Sequence, residues 1–507
     1  MGQGSSAASG DTGQVVRTAN GAVRGVLDGG HRVFNGIPYA EPPVGELRWK
    51  PPRPASPWSG VRSAAKPAAD CVQTAVAWRP AAASTDEDCL SLNVWAPKKA
   101  SKGTSRPVAV WFHGGGSVNG AGRDFEPVSM AEQGDLLVVT VNYRLGALGY
   151  LTLPELDEAG GAGASGNYGL LDQIEALRWV ERNIADFGGD PGQVMIAGQS
   201  AGAGGVCALL ASPEAAGLFT SAVIQSSTCG VTSRETAQKN NAAFVTALGC
   251  DARSAPATVA CLRGKPPSDI INAQRNTGSW GRVIQEGVLP VTAQEAFRSG
   301  DFNRVPVLVG GTAHEDRAFV YEQNDLVSQP VTEAAHAAAV RAQFGTKADA
   351  ILARYPVSAY ESPGAALAQV QTDGPRVCSG VLPNAAALTR TVPTYVYEFR
   401  DETAPLRPYE LVPSSFSLAT QHSAELPYLW GANTATPLSA KQRQLSHDMI
   451  AYWAEFARTG SLAPKGLPAV PRYSAAAPRE VAFDSGGPRV VDDMAVKHQC
   501  AFWATLS

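Results

Sequence analysis

Short runs of unbroken apolar residues recur along the chain, at 107–112, 136–142, 194–198, 222–225, 305–310, 395–399 and 481–484. Continuous apolarity of this length is what a strand buried on both faces needs, since neither row of side chains meets water. Between the runs the period changes. Leu170, Ile174, Leu177, Val180 and Ile184 are spaced four, three, three and four positions apart, the apolar stripe of one helix. Gly188-Gly189-Asp190-Pro191 marks its end. The alanine-rich piece 333–342 also reads as helix rather than low complexity. Strand, loop and helix in alternation predict an α/β fold around a large, mostly parallel central sheet. Ligands of such sheets bind beyond the carboxyl ends of the strands. Reactive residues are therefore sought just after the apolar runs.

The run at 194–197 leads into Gly198-Gln199-Ser200-Ala201-Gly202 and then into the apolar stretch 206–211. This is G-x-S-x-G with a strand before it and a helix after it, the context in which a tight turn exposes a nucleophilic serine. The plainer reading is a glycine-rich turn with an incidental serine; the flanking elements favour Ser200 as nucleophile. The run at 108–112 leads into His113-Gly114-Gly115-Gly116. Successive glycine amides there can converge on one oxygen, as a tetrahedral acyl-transfer intermediate requires. Gly115, Gly116 and Ala201 are the candidate oxyanion donors. No Lys-Ser/Thr follows the glycines, which excludes a phosphate-binding P-loop. Neither H-E-x-x-H nor C-x-x-C occurs, so no metal and no cofactor are expected.

Composition narrows the setting. With 507 residues, 44% apolar and 17% charged, the chain has far too few charges and too many apolar residues for a disordered protein. A net charge of −4 without long like-charged runs argues against a nucleic-acid partner. No apolar stretch reaches the ~18 residues of a membrane span. Length alone suggests about three domains, yet no linker or repeat divides the chain. Residues 1–13 are rich in glycine and serine and lack the cationic and apolar regions of a secretory signal; they are expected to be a flexible segment ahead of a single domain at 14–507.

Three further segments carry a resemblance. Asn35-Gly36-Ile37-Pro38-Tyr39-Ala40-Glu41-Pro42-Pro43-Val44-Gly45, Glu87-Asp88-Cys89-Leu90-Ser91-Leu92-Asn93-Val94 and Gly166-Asn167-Tyr168-Gly169-Leu170-Leu171-Asp172-Gln173 resemble the signatures of type-B carboxylesterases, the cholinesterase-like branch of the α/β-hydrolases. The likeness runs from about Val15 to Trp503. It implies one α/β-hydrolase domain whose long loop insertions form an active-site gorge, and an ester hydrolase working through an acyl-enzyme on small-molecule esters.

The resemblance also implies a triad in the order serine, acid, histidine. Glu315 and Asp316 both follow the run at 305–310. The family spacing gives Glu315 when counted from Gly310 and Asp316 when counted from Gly311; Glu315 is preferred. His314 stands where the family usually has Asp. Gln421-His422-Ser423-Ala424-Glu425-Leu426-Pro427-Tyr428 resembles the family's histidine motif, making His422 the base, with His314 its one rival. Activity should then rise with pH as His422 loses its proton. Ser226 matches a serine that supports the acid, with Ser227 as the alternative. His31 is placed in a hairpin, His113 before the oxyanion loop, and His336, His447 and His498 in polar helical surroundings.

The family implies bridges Cys71–Cys89, Cys250–Cys261 and Cys378–Cys500, leaving Cys207 and Cys229 as two buried thiols or a fourth bridge. Three bridges imply an oxidising compartment, secreted or periplasmic. Ion pairs Arg48–Glu87 and Arg144–Asp172 are implied as loop ties. For the substrate pocket the residues are Trp78, Trp280, Arg282 and Phe319. Trp78 lies where cholinesterases place a choline-binding tryptophan, but in a shorter loop, so packing is its first reading. Arg282 replaces a common proline of the acyl pocket. Facing the gorge, it would favour carboxylate-bearing acyl groups, as in tricarballylate-type mycotoxin esters; otherwise it pairs with Glu286 or solvent. The chain is expected to be a monomer. The rivals are a non-catalytic adhesion protein, which typically lacks the serine, and an amidase or lactonase on the same triad.

Overall fold

The computed structural model describes residues 14–506 apart from 81–82, 161–164, 253 and 279; the expected segment 1–13 lies outside the described residues. The strands are β1 (Val15–Thr18), β2 (Gly21–Arg24), β3 (Val26–Asp28), β4 (His31–Pro38), β5 (Val61–Ser63), β6 (Ser91–Ala96), β7 (Arg106–Phe112), β8 (Leu137–Val141), β9 (Gly189–Gln199), β10 (Ser221–Gln225), β11 (Val307–Thr312), β12 (Thr394–Phe399), β13 (Glu480–Asp484) and β14 (Gly487–Val491). Among the described residues β1, β2 and β5 form a small sheet. The other eleven form one sheet in the order β14-β13-β12-β11-β10-β9-β7-β8-β6-β4-β3. Its centre, from β8 through β7 and β9 to β13, is parallel. Antiparallel pairs flank that centre: β13 with β14, and β8, β6, β4 and β3 in turn. Each apolar run of the sequence is one of the parallel strands.

Burial on both faces explains the unbroken apolarity. On β7, Val108, Val110 and Phe112 enter one core, while Ala109 and Trp111 enter the other. The helix Tyr168–Phe187 covers the first face with Leu170, Ile174, Leu177, Val180 and Ile184, the expected stripe. It ends at Gly188, which takes the left-handed conformation at φ 100°. The helix Ala440–Thr459 covers the second face through Leu445, Met449, Ile450, Trp453 and Phe456. No described helix is long and apolar enough to cross a membrane.

All four cysteine pairs are bridged. Cys71–Cys89, Cys250–Cys261 and Cys378–Cys500 are the implied ones, and Cys207–Cys229 settles the open pair as a fourth. The implied loop ties also form: Arg48 grips Glu87 through Nε at 2.8 Å, and Arg144 binds Asp172 at 2.7 and 2.8 Å.

Candidate active site

β9 ends at Gln199 and the helix Ala201–Ala211 begins two residues later, so Ser200 alone reverses the chain. Its backbone, at φ 56° and ψ −123°, is one that residues with a side chain rarely adopt. Such strain costs about 1–3 kcal/mol and persists only where the surroundings over-determine it. Here the Ser200 N–H donates to the Gln225 carbonyl of β10 at 2.9 Å. The flanking glycines leave no alternative: a Cβ on Gly198 would lie 2.5 Å from the Gly202 carbonyl carbon, and one on Gly202 2.0 Å from the Phe112 carbonyl oxygen. The motif's glycines are therefore demanded by the close passage of β9, β7 and the helix.

The glycine loop after β7 lies beside this turn. Gly115 sits at φ 104° and Gly116 at φ 64°. Among the described residues, the N–H groups of Gly115, Gly116 and Ala201 donate to no protein acceptor. Ala201 is the first residue of its helix, where the N–H is free and the helix dipole favours negative charge.

β11 delivers Glu315, and the long connection after β12 delivers His422. His422 Nδ1 is hydrogen-bonded to the Glu315 carboxylate, and the His422 backbone N–H donates to the Glu315 carbonyl at 3.2 Å. Both are buried, at 3% and 7% exposed. Burial pushes the Glu315 carboxyl up, but the His422 imidazole more than offsets this and leaves it below the usual glutamate value. Asp316, the alternative acid, turns away to accept from Arg376 Nε and Nη2 at 3.1 and 3.2 Å. The Ser226 hydroxyl faces Glu315 and helps keep it ionised, although no well-formed hydrogen bond joins the two. Ser227 instead accepts from the Cys229 N–H at 3.2 Å.

With its Nδ1 proton committed to Glu315, His422 keeps a lone pair on Nε2. The Gln199 amide approaches that nitrogen at 3.0 Å, and Ser200 Oγ makes no hydrogen bond to it among the described residues. Catalytic hydrogen bonds are often unmade before substrate binds. For Gln199 the sequence offers one signal, its place inside the serine motif. His314, the rival base, meets Gln369 Oε1 at 3.0 Å, and burial lowers it to about 4. His113 is likewise lowered to about 4 by burial and stacks on Tyr143. The expectation for His498 is corrected. It ends a short helix and is buried between the carboxylates of Asp373 and Glu398, each at 2.6 Å.

Two cavities share Ser200. The larger, about 1000 Å³, is lined by Gly115, Gly116, His422, Phe319 and Trp78. Phe319 lies 4.8 Å from the His422 ring, and Trp78, first read as a packing residue, faces this space half-buried. The smaller, about 440 Å³, is lined by Gly116, Ala201, Trp280 and Arg282. Trp280 packs edge-on against Phe244 at 5.2 Å. Arg282 neither reaches solvent freely nor pairs with Glu286: it is 9% exposed, and its Nη1 donates to the Ala201 carbonyl at 3.1 Å.

Comparison with known proteins gives a consistent picture. The model of the carboxylesterase family matches residues 12–503. The fumonisin B1 esterase of Sphingopyxis macrogoltabida is 35% identical, over 90% of this chain and 84% of its own. The para-nitrobenzyl esterase of Bacillus subtilis (strain 168) is 33% identical, over 89% of this chain and 91% of its own. A solved PNB esterase superposes with a TM-score of 0.80 at 31% identity, covering 96% of this chain and all of that one. It shares the α/β-hydrolase fold, with its large, mostly parallel sheet between helices. A family match over nearly the whole chain, close relatives along nine-tenths of it and a common fold lead to one conclusion: this chain belongs to the carboxylesterase family and is a carboxylic-ester hydrolase.

Proposed function

We propose that Ser200, Glu315 and His422 form the catalytic triad of this esterase, with the amides of Gly115, Gly116 and Ala201 as its oxyanion hole. The observation that carries the reading is the strained Ser200 turn, which opens into the cavity holding the Glu315-bound imidazole. As substrate enters, the Gln199 amide yields Nε2 to the Ser200 hydroxyl. His422 takes the hydroxyl proton while Oγ bonds to the ester carbon, and the carbonyl oxygen gathers negative charge among the three amides. The intermediate collapses: the carbon–alkoxy bond breaks and His422 hands its proton to the departing alcohol. Water then repeats the sequence on the acyl-enzyme, giving the carboxylic acid and free serine. Glu315, held ionised, keeps the imidazole in the right tautomer and stabilises its charged form.

Residues 14–507 act as one catalytic domain in this reading, and four bridges favour an oxidising compartment, secreted or periplasmic. Ser200→Ala should lower kcat on a simple p-nitrophenyl ester at least about a thousand-fold with little change in KM. Retention of more than a tenth of the wild-type kcat would remove Ser200 from the chemistry.

A further inference from the structure

The two cavities that meet at Ser200 differ in kind. The larger carries His422 among bulky side chains such as Trp78, Phe125, Phe319 and Leu426, and its charges are of both signs, with Arg123 and Arg407 accompanied by Asp124, Glu126 and Glu322. The smaller lies on the Ala201 side. Its described wall has no aspartate or glutamate; it has the hydroxyl residues Ser117, Ser227, Thr228 and Thr232 and the arginines Arg282 and Arg376. An alcohol must leave beside the imidazole that reprotonates it. The larger cavity therefore takes the alcohol, and the smaller takes the acyl chain.

Arg282 is buried without a counter-charge. Among the described residues it forms no ion pair and its Nε makes no well-formed hydrogen bond; its polar neighbours are the Ala201 carbonyl and the Tyr150 hydroxyl, neither of them an anion. Its Nη2 lies over Gly204, where a Cβ would come within 2.2 Å of it. A buried guanidinium is unfavourable until an anion joins it. Arg376 lines the same cavity with its side chain 30% exposed; Asp316 engages its Nε and Nη2, and among the described residues Nη1 has no hydrogen-bond partner. Such walls suit a short polar acyl group and penalise a hydrocarbon one, which would seal Arg282 against methylenes.

We infer that Arg282 and Arg376 form an anion subsite that selects esters whose acyl group carries a second carboxylate, monoesters of short di- and tricarboxylic acids. This rests on the serine-esterase reading above and adds the acyl class to it. The planar fork of a guanidinium matches a carboxylate with two parallel hydrogen bonds, which an aliphatic acyl chain cannot return.

The test compares monobenzyl glutarate with benzyl pentanoate, which share the alcohol and the chain length and differ in the terminal carboxylate. Wild type should favour the glutarate at least about ten-fold in kcat/KM, and Arg282→Met should cut that ratio about 10- to 100-fold. Arg282→Lys should keep part of it. Gly204→Ala, which pushes the guanidinium aside with its charge intact, and Arg376→Gln should each lower it, so the test does not depend on one variant folding. Free glutarate should inhibit benzyl pentanoate hydrolysis competitively in wild type and more weakly in Arg282→Met. Equal rates on both esters in wild type, or an equal fall on both in Arg282→Met, overturns the subsite while the serine reading stands. Unchanged turnover of both esters by Ser200→Ala overturns the serine reading itself.

Discussion

At the scale of single residues, the site is built from groups that would be costly elsewhere. Ser200 holds a conformation suited to glycine, and Glu315 keeps its charge in a buried place because His422 faces it. Glu425 does the opposite. It is fully buried, accepts from Gln225 Nε2 at 3.2 Å, and leaves Oε2 without a partner. Burial first, and the nearby Glu315 charge second, push its carboxyl up to about 8. The folded protein thus holds this proton while the unfolded chain, with an ordinary value of 4.5, has lost it. Stability from this group is complete below pH 4.5 and declines as pH rises through about 8. Glu425→Gln, which keeps a neutral group there, should make Tm fall less steeply than wild type between pH 5 and 8. Parallel Tm curves would show that Glu425 does not carry the linked proton. Its partner Gln225 also supplies the backbone carbonyl that pins the Ser200 N–H.

At the scale of elements, the parallel strands and the helix Tyr168–Phe187 were legible because two-sided and one-sided burial write different periods into the sequence. The segment Thr372–Val381 was not. Glycine and proline ordinarily interrupt a helix, yet through Gly374-Pro375 the chain continues as a π-helix. Tertiary contacts sustain it: Trp503 packs against Gly374, where a Cβ would lie 2.5 Å from its ring. Asp373 accepts from Tyr355 Oη at 2.8 Å and pairs with His498. His498 lies 125 residues from Asp373 and Trp503 is farther still, so no local window reveals them. Burial opposes a charged His498, but Glu398 and Asp373 outweigh it and raise the imidazole from 6.5 to about 10. The stabilisation is complete below pH 6.5 and is lost as pH rises through about 10. His498→Gln should therefore lower Tm most near pH 6, with the gap to wild type shrinking towards pH 10. A gap independent of pH would mean that His498 acts by packing rather than by charge.

At the scale of the whole molecule, one sheet gathers Ser200, Glu315 and His422 from chain positions more than a hundred residues apart, at the carboxyl ends of β9, β11 and β12. The serine motif, the histidine motif and three of the four bridges were legible because each is local or carried by family resemblance. Counting along the chain leaves Glu315 and Asp316 open as the acid. The proposed choice rests on contacts, Glu315 with His422 and Asp316 with Arg376, and only the fold brings residue 376 there. The division of the space around Ser200 was equally hidden, since it depends on residues near 80, 230, 280, 320, 376 and 430 converging. The fourth bridge, Cys207–Cys229, joins the helix behind Ser200 to the loop after β10 and so stiffens the wall between the serine and that loop. The most direct test of the central claim is labelling with diethyl p-nitrophenyl phosphate, followed by intact-mass and peptide analysis. The account predicts one diethylphosphoryl group per chain, on Ser200, with loss of esterase activity in proportion. Full inactivation with the label elsewhere, or unlabelled Ser200 in protein that still hydrolyses esters, would contradict it.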